Sequence, residues 1–264
     1  MKVTGRIFQG LVLASWLLLT SAFAESIDSD LKTDSALDAG FKIAAEQVSS
    51  ALIQAPEASL IYLEHWIDVF NELAREAGEQ TFDLAPSDQV RAAPNQAISP
   101  TTGWIPNGAP IVAPLWGQRA TLSFDKSDKF RPNPPPDIKS LAFERDIEDV
   151  FRVGERYGEN RTADQSISAA FWADGIGTVT PPGRWNLIAL QETAHLPEME
   201  RAQILLALNI ALYDSGIAAW DAKYSFNYWR PTTAITNLYP EHDDWEPMMP
   251  PPFHPEYVLS LIHI

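Results

Sequence analysis

The sequence predicts an all-α, bundle-type fold, and three features carry that reading. Apolar residues recur at three- and four-residue spacing through most of the chain, the period of an amphipathic helix. No segment alternates apolar and polar residues for the length of a strand, no convincing hairpin signal appears, and there is no internal repeat. The 264 residues include no cysteine, so the fold must be held by a buried core rather than by cross-links, and a chain of this length can bury one.

Taken in order, the elements follow from local spacing. From Ser29 to Ala55 the positions Leu31, Leu37, Phe41, Ala44, Val48 and Leu52 share a helical face. A second helix is predicted from Glu57 to Ala77, with Pro56 suited to a first-turn position and Leu60, Leu63, Ile67, Phe70 and Leu73 on one side. Ten prolines between Pro86 and Pro136 forbid regular helix or central strand there. That stretch also carries Trp104, Val112, Trp116, Leu122 and Phe124, which predicts an ordered wrap over the core rather than a loose linker. Helical spacing resumes after Lys139, with Ser140 as N-cap and Phe143, Ile147 and Val150 apolar up to Gly154. Thr162 caps a helix from Ala163 to about Ala173, and Thr180-Pro181-Pro182 opens another through Leu190. The longest helix is predicted from Pro197 to about Trp229, with small residues such as Ala207, Ala211, Gly216 and Ala218 that allow close approach of neighbours.

The two ends read differently. Met1 to Arg6 is basic, Ile7 to Phe23 is apolar, and Ala22-Phe23-Ala24 closes the run, the pattern of a secretory signal peptide over residues 1–24. The expected destination is the periplasm or the outside of the cell. No stretch of 18 consecutive apolar residues follows, so no membrane span is expected after cleavage. At the other end an apolar heptapeptide, Val258 to Ile264, follows a proline-rich turn with no helix cap.

Composition narrows the function classes. Lys and Arg number 19 against 35 Asp and Glu, a formal charge of −16, which argues against general binding of nucleic acid or an anionic membrane surface. The absence of cysteine excludes thiolate zinc sites, iron–sulfur clusters and thiol nucleophiles. Five histidines without metal-ligand pairing leave few ways to build an all-protein metal cage, and no metal ligand set is predicted. Any anion held here needs a local cluster of cations.

Such a cluster is offered by Trp220-Asp221-Ala222-Lys223-Tyr224-Ser225-Phe226-Asn227-Tyr228-Trp229-Arg230-Pro231. On a continuous helix, Lys223 and Arg230 stand two turns apart and only ~20° apart around the axis. They are then ~10 Å apart along it, so two long cationic side chains can converge on one oxyanion. Trp220 and Asn227 share that face and are read as pocket wall. Pro231 ends or kinks the helix, leaving the Arg230 fork free to reach sideways. The alternative is that Lys223 and Arg230 only form salt bridges with acids such as Asp221 or Glu241. Against it stands the cost of burying two cations among Trp220, Tyr224, Phe226, Tyr228 and Trp229 without a counter-anion.

The Lys-x6-Arg-Pro motif, preceded by Asn209-Ile210-Ala211-Leu212-Tyr213-Asp214-Ser215-Gly216, resembles the vanadium-dependent haloperoxidases and the related type 2 phosphatidic acid phosphatase superfamily. Further matches are Arg161-Thr162-Ala163-Asp164-Gln165 and Thr178-Val179-Thr180-Pro181-Pro182-Gly183-Arg184, and His254-Pro255-Glu256-Tyr257 looks like the lead-in to a second motif. The resemblance spans about residues 100–257 and is specific over 160–257. It implies a helical-bundle domain over 25–257 that holds vanadate or phosphate, with Lys223 and Arg230 as catalytic, oxyanion-binding cations. It implies hydrogen peroxide and halide as substrates of a secreted haloperoxidase, or a phosphate ester for an acid phosphatase of the same superfamily. A third reading, a non-enzymatic secreted helical module, also stays open. His254 falls where the resemblance puts a halide-side residue, and a histidine there is expected to donate a hydrogen bond or to titrate near neutral pH.

Two expected motifs are missing. Pro-Ser-Gly-His should follow Tyr257 at once, but the sequence reads Val258-Leu259-Ser260-Leu261, and no Ser-Arg-x5-His occurs anywhere. The chain is therefore expected to be incomplete at its C-terminus, with 258–264 a non-native tail, and to be inactive because the vanadium-ligating histidine is absent. Other candidates read blandly: His195 as a loop residue before Pro197, His65 as a partly buried helix histidine, and His242 as part of an acidic turn. Asn160-Arg161-Thr162 is a glycosylation sequon that matters only in a eukaryotic secretory host.

Overall fold

The computed structural model describes residues 36–51, 53–83, 103–106 and 111–257. The signal-peptide reading of 1–24 and the reading of 258–264 as a foreign tail lie outside them. Among the described residues there are seven α-helices and no strands: α1 (Ala36–Ser50), α2 (Ala55–Ala77), α3 (Leu141–Val153), α4 (Ala163–Trp172), α5 (Thr180–Glu192), α6 (Glu198–Phe226) and α7 (Pro231–Leu238). The protein is all-α.

The start signals act as the sequence implies. The Ser140 hydroxyl accepts from the Phe143 amide at 3.2 Å. Thr162 and Gln165 form a reciprocal capping box. Gly78 closes α2 in the left-handed conformation at φ 70°, its amide bonding back into the last turn.

The core lies in three clusters. Phe41, Val48, Tyr62, Trp66, Leu190 and Leu205 join α1, α2, α5 and α6. Leu63, Ile67, Trp116, Tyr213, Ile217 and Trp220 join α2 and α6 to a short 3-10 turn at Trp116–Gln118. Phe143, Ile147, Trp229, Ala234 and Ile235 join α3 and α7.

Helix α6 runs through the first two clusters and carries a polar tie to each neighbour. Arg201 pairs with Asp38 of α1 at 2.9 Å, both about 95% buried. Asn209 and Asn186 of α5 exchange side-chain amide hydrogen bonds at 2.7 and 2.9 Å. The Asp214 carboxylate accepts from the Leu122 amide at 2.8 Å and the Ser123 amide at 2.7 Å. Asp221 takes the Arg131 fork at 2.7 and 2.8 Å. The described part of the proline-rich stretch is thereby fastened along α6, with Val112 and Trp116 buried beneath it.

By length and composition α6 could cross a membrane, with a mean hydropathy of 1.4 over its most apolar window. The sequence reading found no such stretch because Arg, Asn and Asp interrupt the apolar run while the average stays high. In this fold those interruptions face the interior and each is satisfied by another element, as in a core helix.

The long helix also ends earlier than predicted, at Phe226 rather than about Trp229. Asn227 adopts φ 47°, ψ 45°, the left-handed cap that stops a helix, and its amide returns to the Lys223 carbonyl. Pro231 excludes helical geometry at the preceding residue, and Arg230 is extended at φ −81°, ψ 152° as N-cap of α7, a helix the sequence reading did not anticipate.

Close approach rather than turn geometry explains Gly117. A methyl there would stand 2.3 Å from the Asp221 amide nitrogen on the backbone of α6. Gly117→Ala must push the 3-10 turn off α6 and is expected to cost about 2–3 kcal/mol. Gly78→Ala, strained in φ but with nothing within 4 Å, should cost about 1 kcal/mol. Urea denaturation of both variants checks this, and equal losses would contradict the close packing.

Candidate functional site

The site grows out of the link between α6 and α7. Beyond the left-handed Asn227 the link lies between two other segments: the Trp104 amide donates to the Asn227 carbonyl at 2.9 Å, and the Glu256 amide donates to the Tyr228 carbonyl at 3.0 Å. Isolated bridges pair Tyr228 with Gly103 on one side and with Glu256 on the other. This clamp fixes the segment 254–257 against the ends of both helices.

Lys223 is fully buried in the last turn of α6, and Arg230 is 8% exposed at the start of α7. The Lys223 ammonium donates to the carbonyls of Pro255 at 3.1 Å and Tyr257 at 3.2 Å. Arg230 donates through Nε to the His254 carbonyl at 2.8 Å, through one terminal nitrogen to the Glu256 carboxylate at 2.5 Å, and through the other to the Pro255 carbonyl at 3.4 Å. The two cations thus reach the same carbonyl oxygen, that of Pro255. They converge, but not as the helical spacing implied, because Arg230 belongs to the next helix and turns back from it.

Burial governs the charges. It pushes Lys223 down to about 7, with the Arg230 charge adding to the effect and Glu256 opposing it. Burial also lowers Arg230, against the Glu256 carboxylate, yet a guanidinium stays charged at neutral pH. The salt-bridge partner of Arg230 is Glu256, not Asp221 or Glu241, since Asp221 is committed to Arg131.

The remaining predicted residues are distributed as follows. Trp220 is 5% exposed, donates from Nε1 to the Val112 carbonyl at 3.2 Å, and lies 5.1 Å from the His254 ring at 53°. Tyr224 also donates to Val112, at 2.8 Å. Asn227 contributes as the backbone hinge described above. His254 sits in the site with Nδ1 2.7 Å from the Arg230 guanidinium, so this nitrogen is an acceptor facing a cation. The expectation that it titrates near neutral pH is corrected, because burial and the charges of Lys223 and Arg230 push it down to about 3. Glu256 is the site residue that sequence reasoning passed over. Its signal was an acid two residues after His254, noted there only as part of a motif lead-in. A cavity of about 60 Å³ opens beside Arg230 on the α7 side, against Trp104, Thr232 and Pro251.

Of the other histidines, His65 is partly buried and lowered by burial, whereas His195 and His242 are exposed in turns. Among the described residues no group of three or more His, Asp or Glu could hold a metal ion.

Three comparisons bear on this geometry. The family model of the VCPO second helical-bundle domain matches residues 203–260, which span all but the first turn of α6, the clamp and α7. A vanadium chloroperoxidase of Curvularia inaequalis is 24% identical over 231 residues, covering 73% of this chain and 37% of that protein. The crystal structure described as the first bacterial vanadium-dependent iodoperoxidase superposes with a TM-score of 0.54 and 25% identity, covering 64% of this chain and 43% of that one. The chain therefore spans less than half the length of either relative.

Vanadate is the group that these likenesses imply. Two convergent buried cations are the right donor chemistry for an oxyanion. Their hydrogen bonds, however, are directed at the carbonyls of His254, Pro255 and Tyr257 and at the Glu256 carboxylate, and the His254 nitrogen nearest them faces Arg230. The described residues do not make a vanadate cage.

The depressed His254 value sets a stability window. The imidazole is neutral in the fold down to about pH 3, whereas the unfolded residue takes a proton below its ordinary value of 6.5. Between these limits the unfolded state binds more protons, so stability falls as pH drops. From pH 6.5 to 5 the loss should reach roughly 2 kcal/mol and should be absent in His254→Phe. Urea denaturation at the two pH values checks it, and identical pH dependence of both proteins would contradict the buried neutral imidazole.

Proposed function

We propose that this helical core, for which the sequence and structure comparisons support a vanadium haloperoxidase-like protein, is the Lys-x6-Arg-Pro-bearing part of a secreted, vanadate-dependent haloperoxidase that oxidises halide with hydrogen peroxide. One observation carries the reading: two buried cations on consecutive helices converge on a single oxygen position, at Pro255. Holding like charges together in the interior is unfavourable unless negative charge offsets them, so a paired site of this kind favours an oxyanion. The names of the relatives, a chloroperoxidase and an iodoperoxidase, favour halide over a phosphate ester as the substrate class.

Within this reading, Lys223 and Arg230 supply positive charge to the oxyanion, and His254 and Trp220 form the wall beside them. The 264 residues contain neither Pro-Ser-Gly-His nor Ser-Arg-x5-His, so the chain as it stands lacks the histidine that the family places on vanadium. Purified alone, it should show no vanadate-dependent oxidation of chloride, bromide or iodide by peroxide. Turnover that appears on adding vanadate would overturn the proposed inactivity.

In a gene product that carries all three motifs, Lys223→Ala and Arg230→Ala should each weaken vanadate binding by about 1.5–3 kcal/mol, the value of a hydrogen bond to a charged group. Equilibrium dialysis alongside thermal denaturation separates the roles. Unchanged vanadate affinity with a collapsed melting temperature would leave only a bracing role for the two cations.

A further inference from the structure

Helix α6 buries one side and leaves the other bare. Leu205, Asn209, Tyr213, Ile217 and Trp220 are buried on the side that packs against α2, α5 and the turn at Trp116–Gln118. Opposite them Ile204 is 42% exposed, Ala207, Ala211 and Ser215 are exposed, and Leu208 and Ala218 are half-buried. Ile204, Leu208, Ala211, Ser215 and Ala218 follow one another at intervals of four, three, four and three, the repeat of a seam between two helices. The strip they make runs ~21 Å along the helix. The one charged residue within its span, Asp214, points away from it, onto the amides of Leu122 and Ser123. An uncharged apolar strip of this kind on the surface marks a contact face.

Bulk is graded along the strip, and the grading selects the occupant. Ile204 and Leu208 make its N-terminal half large, whereas Ser215 and Ala218 make its C-terminal half small. Two copies laid antiparallel, with Ala211 near the axis between them, set the large half of each on the small half of the other. A parallel pair would set bulk against bulk. Such self-complementarity is what a two-fold contact between identical chains requires. We infer that the bare face of α6 is a self-association surface, on which a second copy of this chain docks its own α6 in the antiparallel sense. A membrane surface fits less well, because the strip carries no Lys, Arg, Trp or Tyr to anchor it at the interface and the chain has a formal charge of −16. The strip is also short. At ~21 Å long and ~10 Å wide it is smaller than a standard interface, so the dimer is transient, with a dissociation constant on the order of 10–100 μM.

The chain has no cysteine, so one introduced thiol reports on this face alone. Sedimentation of the wild-type chain over a range of concentrations should show a monomer–dimer equilibrium. Ala211→Glu sets two carboxylates against each other at the axis and should lose the dimer, with the melting temperature of the dilute protein unchanged because residue 211 is exposed in the monomer. Independently, a short bifunctional maleimide should join Ala211→Cys into covalent dimers and leave Ser168→Cys, exposed on α4, monomeric. A wild type that stays monomeric at every concentration, or a dimer that survives Ala211→Glu, overturns the pairing. So does an Ala211→Cys thiol that a monofunctional maleimide cannot reach in the monomer, which would put a segment of the same chain over the strip. Co-sedimentation of the wild type with phosphatidylcholine vesicles, lost in Ala211→Glu, would make the strip a lipid-binding face and overturn the pairing as well.

Discussion

A fully buried lysine within reach of a second buried cation is the constraint on which this part of the molecule turns. Neither Lys223 nor Arg230 can be left without oxygen partners in the interior, and the chain supplies them by folding one short segment, 254–257, across both. Three local devices make that possible. Asn227 stops α6 in the left-handed conformation, Pro231 forces Arg230 into extended geometry, and the clamp formed with Trp104 and Glu256 holds the link between them straight.

The rest of α6 shows the same logic at other positions. An apolar helix of 29 residues with buried Arg201, Asn209 and Asp214 has to find a partner for each, and each is drawn from a different element. Truncating one member of a buried pair such as Arg201–Asp38 strands the other, which typically costs 3–5 kcal/mol. These ties specify which helix lies against which, while the apolar clusters supply the bulk of the stabilisation. They also fasten the proline-rich wrap, which has no backbone ladder of its own, so that Val112 can receive hydrogen bonds from both Trp220 and Tyr224 beside the cationic pocket.

How much of this was legible in the sequence differs by interaction range. Helix identity and most helix starts were readable because capping residues and apolar spacing act within one or two turns, as at Ser140, Thr162 and Pro56. The end of α6 was misread because Tyr228 and Trp229 continue the apolar pattern, whereas the stop is made by the backbone of Asn227, a residue that tolerates left-handed geometry without announcing it. Lys223 and Arg230 were singled out by charge among aromatics, and that signal survives the error in helix length. The partnership of Arg230 with Glu256 was not readable, since residues 26 apart meet only through the clamp at Tyr228.

The charge balance of the pocket follows from three groups, and its sign can be worked through. Lys223 lies near 7 in the fold against an ordinary 10.5, so between these values the unfolded chain binds the extra proton and stability rises with pH. His254 has the same sense at lower pH, since it too is held neutral. Both bases make the folded pocket resist protonation, and the reason is shared: burial disfavours the charged form of each, and the Arg230 charge adds to it. Glu256 offsets one positive charge, which leaves the pocket nearly neutral when Lys223 is deprotonated and singly positive when it is protonated. By thermodynamic linkage an anion entering the pocket and a proton entering Lys223 each favour the other. On the proposed reading of the pair as oxyanion-binding, a bound anion relieves the electrostatic cost at which Lys223 is buried.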